Sequence, residues 1–285
     1  MSSNKPSSSS PAGPAHAPGR WPWPPLIRAS AGVHLASGAA LFVPGAELWG
    51  VGALVANHAV LTAAGLWPRS HGLGPNLTRL PEAAALRGEV AITIDDGPDP
   101  HTTPAVLELL AAQGVQATFF CIADRAQAQR GLVREIVAAG HDVQNHSLHH
   151  RHHFSLSGPH ALQREIEGAQ DLLAELTGQR PHCFRAPAGL RNPFLDPVLH
   201  GLGLNLVSWT RRGFDTRERD AQRVLGRLVR GLGGGDILLL HDGHARRSAS
   251  GRAVLLDVLP MLIEHVRAAG LRPVTLRHAV PLRSA

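Results

Sequence analysis

The stretch AITIDDGP sets two adjacent carboxylates, Asp95 and Asp96, at the end of an apolar run and just before a Gly-Pro turn. Neighbouring carboxylates repel, and a bound cation relieves that repulsion. The competing role for either one is an N-cap or Asx turn ahead of HTTPAVLELL. Further along, NHSLHHRHHF packs five histidines into ten residues. On a helical turn residues four apart share a face, which pairs His146 with His150 but equally His149 with His153, so spacing does not choose. Position favours His146, the first side chain past an apolar run, and a solvated polar loop is the alternative for the whole cluster. A cation held by His146, His150 and Asp96 would have two nitrogen ligands, one oxygen ligand and room for water, the open arrangement of a catalytic zinc-type site.

Three more polar residues close apolar runs: Arg185 in FRAPAG, His241 in DILLLHDG and, less specifically, Asp215 in SWTRRGFDT, which also offers Trp209. A lone histidine ending a buried strand is more often structural than catalytic. Several such residues together are another matter if one architecture brings them to one mouth.

From residue 89 the pattern is that of strands alternating with helices. Strands are expected at 90–94, 116–122, 141–145, 182–186, 204–209, 236–241 and 272–276, with amphipathic segments between them that end at Gly. Seven apolar runs in strict alternation with helices imply a parallel sheet, and the number suits a closed or nearly closed α/β barrel better than an open doubly wound sheet. In such barrels chemistry sits at the C-terminal strand ends, where the polar residues above fall.

The rest of the chain sets the context. Its 285 residues suffice for a substantial core, and 44% hydrophobic content excludes a fully disordered chain. The 28 Lys and Arg outnumber the 22 Asp and Glu, but these cations are scattered without aromatic interleaving, which argues against nucleic-acid binding and for a solvated surface. Cys121 and Cys183 lie in apolar runs and are expected as buried thiols.

Residues 1–25, rich in Ser, Pro, Ala and Gly, are expected to be a disordered leader. Two apolar stretches follow within 26–67, Leu26 to Val43 and Leu48 to Leu66, separated by a Pro-Gly turn. A transmembrane helical hairpin is the leading expectation, with buried or interfacial helices as the alternative. Lys5, Arg20 and Arg28 precede it, Arg69, Arg79 and Arg87 follow it, and only Glu47 lies between. Those flanks predict a protein of the inner membrane with both termini cytoplasmic, an extracytoplasmic domain being the alternative. Residues 68–88 are then a linker, 89–277 the barrel and 278–285 a C-terminal tail.

Over residues 88–277 the chain resembles the NodB-type polysaccharide deacetylases, carbohydrate esterase family 4. The family's Thr-Phe-Asp-Asp-Gly-Pro run is TIDDGP here, its His-Ser/Thr-x-x-His is HSLHH, its Arg-Pro-Pro-Tyr is RAPAG, and its Leu-x-Leu-x-His is LLLLH. The resemblance implies a distorted (β/α)7 barrel. It assigns Asp96, His146 and His150 as ligands of a divalent metal, Asp95 as general base and His241 as general acid. It also makes Arg185 the charge partner of Asp95, Asp215 a residue that tunes the Arg and His pair, and the backbone amide of Ala188 an oxyanion donor. Zn2+ suits the ligand types, and Co2+, Ni2+, Mn2+ or Fe2+ are also accepted by two His and a carboxylate.

Departures stand beside the likeness: Ala188 replaces the usual Tyr, Arg212 stands where an acidic residue is common, and Thr216 where Trp is usual. The implied reaction is hydrolysis of an N-acetyl or O-acetyl group from a carbohydrate. A deacylase or deformylase acting on a lipid-linked amino sugar at the cytoplasmic membrane face is the second expectation. A non-catalytic carbohydrate-binding barrel, which would be expected to have lost the base, a ligand or the acid, is the third. Oligomeric state has no signal in the sequence.

Overall fold

A computed structural model of the protein describes residues 19–283. Of the leader expected over 1–25, residues 1–18 lie outside the described residues. Residues 19–24 run as irregular chain against the barrel, where Trp21 Nε1 donates to Asp196 Oδ2 over 2.8 Å.

Helices α1 (Pro25–Ala40) and α2 (Glu47–Leu66) pack on each other as a hairpin, in the places expected for the two apolar stretches. Among the described residues, α2 alone is long and apolar enough to cross a membrane, with mean hydropathy 1.3 and 11% of its apolar window buried. The segment read as a linker is built into the barrel. Leu77 bridges to Val207 in parallel, Leu80 N–H donates to Gly235 O, and α3 (Glu82–Leu86) follows.

The barrel then runs β1 (Glu89–Asp95), α4 (Thr103–Ala112), β2 (Thr118–Cys121), α5 (Ala123–Ala128), α6 (Arg130–Ala138), β3 (Asp142–Asn145), α7 (Pro159–Thr177), β4 (Cys183–Phe184), α8 (Leu195–Gly201), β5 (Asn205–Leu206), β6 (Arg211–Arg212), α9 (Ala221–Val229), β7 (Ile237–His241), α10 (Val254–Ala268), β8 (Arg272–Pro273) and α11 (Leu276–Ala279). Local chemistry sets several of these boundaries. Pro sits in the first turn of α4 and α7, α7 stops at Gly178 in the left-handed region, and the Asp220 side chain caps α9 by accepting from Gln222 and Arg223 N–H.

All strand pairs are parallel, in the order β5-β4-β3-β2-β1-β7-β6, and β8 pairs with the start of β1. The sheet curls into a distorted, incomplete barrel. Each of the seven expected runs contains a strand, mostly shorter than the run; the extra one, β6, is only two residues long and made of arginines.

Along β1, Val90, Ile92 and Ile94 face the helices and share a core with α4, α6 and α10, whereas Ala91 faces the barrel interior with Phe120, Cys183, Ile237 and Leu239. This two-residue alternation puts Asp95 on the interior side, and in β7 it does the same for His241. Asp95 and His241 are register partners. Cys121 and Cys183 are buried free thiols, as expected.

Candidate active site

The strand ends meet in a cavity of about 150 Å³ whose lining includes Asp95, Asp96, His146, His150, Ala188 and His241. The polar residues that close separate apolar runs in the sequence thus converge on one mouth.

Asp95 is held from behind. Its Oδ1 accepts from Arg185 Nη1 at 2.6 Å, and Arg185 is 1% exposed. So complete a burial of a guanidinium requires complete satisfaction. Arg185 also donates to Thr93 Oγ1 (2.9 Å), Val207 O (3.2 Å) and Ser208 O (2.9 Å), and its plane lies 4.1 Å over the Phe120 ring. Burial pushes its pKa down and Asp95 opposes that shift.

Asp96, His146 and His150 bring one ligand atom each within 4.8 Å of one another. Nε2 of His146 and Nε2 of His150 both lie 3.3 Å from Asp96 Oδ1. His146 Nδ1 lies 2.8 Å from Arg185 O, to which only an Nδ1–H can donate, so Nε2 keeps its lone pair for the cluster. Asp96 Oδ1 is buried and has no hydrogen-bond donor. An orphaned carboxylate oxygen beside two imidazole Nε2 atoms fits the ligand set of a divalent cation. Burial raises the Asp96 pKa, but the adjacent His146 and the hydrogen bond from His244 more than reverse this and leave it well below the usual carboxylate range. Burial lowers that of His150 to about 4, which favours the neutral imidazole a ligand needs.

The pairing of His146 with His150 does not arise from a helical turn. His146 follows β3 directly, and the chain then turns back through Ser147 and His150, with φ of 68° and 53°. Ser147 N–H donates to Asn145 Oδ1, His150 N–H to Ser147 Oγ, and Asn145 is itself fixed by Ile166 O and Gln170. His149 is turned away, with Nδ1 2.8 Å from Glu165 and Nε2 3.5 Å from Asp124. Among the described residues the five non-glycine positive φ values belong to Asp96, Ser147, His150, Ala188 and Phe214, all in the loops around this mouth. Backbone held in the left-handed region costs about 1 kcal/mol or more per residue and concentrates at functional sites.

On the far side, Asp215 accepts from His241 N–H at 2.7 Å and lies 2.9 Å from His241 Nδ1. Burial lowers the His241 pKa, yet the charge and hydrogen bond of Asp215 outweigh it and the net direction is up. The Asp215 side chain hydrogen-bonds His241 alone, while its carbonyl accepts from Arg246 N–H; the hydrogen-bond partners of Arg185 are Asp95, Thr93, Val207 and Ser208.

Three residues lack any signal in the sequence. His244 Nδ1 lies 2.8 Å from Asp96 Oδ2, and Arg125 donates to Asp96 O (2.8 Å) while its other terminal nitrogen is 3.2 Å from His244 Nε2. Asp242 is buried beside Thr103, and burial pushes its carboxyl up to about 7.

Fold and site together define a barrel hydrolase with a candidate metal centre. The sequence narrows the class: residues 83–207 match the polysaccharide deacetylase family model. A peptidoglycan-N-acetylglucosamine deacetylase of Bacillus cereus is 34% identical over 175 residues, 61% of this chain and 81% of that protein. A chitooligosaccharide deacetylase of Azorhizobium caulinodans is 31% identical over 65% of this chain and 90% of its own length. The solved family 4 carbohydrate esterase of Streptomyces lividans superposes with a TM-score of 0.61 at 30% identity, covering 70% of this chain and 97% of that one. The chain belongs to the polysaccharide deacetylase family, carbohydrate esterase family 4, and is a carbohydrate deacetylase. The fold also superposes, at TM-score 0.61 and 20% identity, on a family 4 pseudoenzyme from Bacillus anthracis, 68% of this chain against 66% of that one. Architecture alone therefore does not report chemistry.

Proposed function

We propose that the protein hydrolyses N-acetyl groups from the amino sugars of a glycan of the peptidoglycan or chitooligosaccharide kind. The observation that carries this reading is the joint presence, around one cavity, of the Asp96, His146 and His150 cluster, the Asp95–Arg185 pair and the His241–Asp215 pair.

Asp96, His146 and His150 hold the divalent ion, with Zn2+ the best match to two imidazoles and one carboxylate. When bound, such an ion supplies Lewis acidity toward an acyl oxygen and toward water. Asp95, oriented by Arg185, takes the proton from the attacking water. The backbone N–H of Ala188, set by φ 56° in the cavity wall, donates to the oxyanion; because the donor is main chain, it survives the absence of an aromatic side chain there. His241 delivers a proton to the departing amine, which leaves poorly without one, and Asp215 keeps that imidazole charged and aimed. The test is acetate release from N-acetylated glycan oligomers by metal-loaded protein. No release with any divalent ion overturns this reading and favours a binding role.

The α1–α2 hairpin supports a membrane-associated placement. Along α2, Leu48, Trp49, Val51, Val55 and Val60 are at least half exposed, which is costly in water and favourable in lipid. If both helices span, the cationic flanks on both outer sides favour a barrel at the cytoplasmic face, where a lipid-linked amino sugar is the substrate within reach. An extracellular polymer requires the opposite orientation. A reporter fused after residue 88 labels one side or the other and decides between them.

A further inference from the structure

Beside the catalytic cavity lies a second one of about 350 Å³, within the range of ordinary small-molecule sites, lined by Trp67, Pro68, Arg69, Trp209, Arg212 and Phe214 among others. The two share Trp209 and Arg212. Part of the outer wall comes from Trp67 to Arg69, upstream of the segment that matches the family model. That wall is fixed in place. Arg191 N–H donates to Gly65 O at the end of α2, Arg69 donates to Thr210 O, and a Cβ at Gly189 would fall 2.6 Å from the Trp209 ring and 2.8 Å from Pro68.

Arg212 stands between the cavities with its guanidinium 5.2 Å from the Trp209 ring and 5.1 Å from the Phe214 ring. Its Nε is buried and without a hydrogen-bond partner, and among the described residues its side chain makes no ion pair. The three nearby carboxylates are committed: Asp95 to Arg185, Asp96 to the histidine cluster and Asp215 to His241. Burial lowers the Arg212 pKa; the charges of Asp95 and Asp215 oppose that without pairing with it, and the neighbouring Arg217 adds to the lowering. A partly buried cation without a carboxylate partner gains most from an anion brought by a ligand, while Trp67 and Phe214 offer apolar faces on which a sugar ring can lie.

We propose that the outer cavity binds the sugar adjacent to the one being deacetylated, and that Arg212 selects substrates in which that neighbour carries a carboxylate or a phosphate. This rests on the deacetylase reading above and adds the charge of the substrate to it. The two anions come from different sources, an acidic sugar within a polymer and a glycosyl phosphate, and the test separates them.

The experiment compares kcat/KM of the full-length, metal-loaded protein for three N-acetylated oligosaccharides of one backbone: neutral, with a carboxylate on the neighbouring sugar, and with a phosphate there. At least a tenfold preference for one anionic form over the neutral one is expected, shrinking as salt is raised. Arg212→Gln should bring the preference below threefold, and Arg212→Lys should retain part of it, which separates charge from a folding defect. Equal rates on all three, or a preference unchanged in Arg212→Gln, overturn the selection by Arg212 and leave the deacetylase reading standing. No acetate from any of the three overturns both.

Discussion

Two buried ion pairs flank the catalytic cavity, and they are built in opposite order. At the end of β1 the carboxylate of Asp95 faces the cavity and the cation, Arg185, stands behind it. At the end of β7 the cation-forming group, His241, faces the cavity and the carboxylate, Asp215, stands behind. Each pair holds one acidic and one basic side chain, so composition does not distinguish them. Which member faces the cavity does: in the mechanism proposed above one pair presents a proton acceptor and the other a proton donor, and the hidden partner sets the charge and aim of the exposed one.

Substitutions in the two pairs test that contrast. Asp95→Asn removes the acceptor while leaving the Asp96, His146 and His150 cluster whole; acetate release should fall by about 10^3-fold or more, with bound metal unchanged by elemental analysis, whereas His146→Ala should lose the metal itself. His241→Asn should cost about 10^2- to 10^3-fold in kcat, and the loss should be smaller on an acetyl ester, whose leaving group needs less protonation. In Asp215→Asn the pair loses its hidden member. Because Asp215 raises the His241 pKa against burial, its removal lets that pKa fall. The protonated donor is then lost at lower pH, so the basic limb of the kcat/KM profile should move toward acid; a stationary limb would mean His241 is not the donor.

Smaller effects lie outside the pairs. Asp242 is an acid whose folded pKa, about 7, lies above its ordinary value because of burial. Its folded form is therefore penalised as pH rises from about 4 through 7. Asp242→Asn should raise Tm by roughly 2–4 °C at pH 8, and by less at pH 5. His149→Ala should keep both metal and activity within about twofold, since that ring points to Glu165 and Asp124.

The residues legible in the sequence are those that close long apolar runs. The runs ending in Asp95 and His241 announced their strands, and parallel geometry then obliged their polar ends to meet. His146 followed from the same logic. His150 was found with the wrong local geometry, because a turn made by left-handed Ser147 and His150 imitates the spacing of a helical turn. The strand Arg211–Arg212 was invisible, since a two-residue strand of arginines has neither apolar pattern nor length and exists only because β7 offers it an edge. His244 and Arg125 reach Asp96 from far along the chain, and nothing in HDGHAR or IADRAQ separates them from ordinary surface polar residues. The hairpin was readable as two apolar helices, but its contribution to the second cavity depends on how Gly65 and Pro68 seat against the loop at Gly189, a tertiary fit without local trace.

Asp95 and His241 are direct neighbours across β1 and β7, at the end of a parallel register that runs from Ala91 and Ile237 along the whole of β7. The spacing of the two proton-handling groups is thus inherited from the repeat of the sheet, and no loop sets it. The rim is made of separate pieces, including Trp67 to Arg69 from outside the segment matched to the family. Such a division gives the scaffold room to evolve: the rim can be exchanged, and with it the glycan accepted, without retuning the reaction. Grafting the segment that carries Trp67, Pro68 and Arg69 onto a related barrel should accordingly transfer substrate preference rather than catalytic rate.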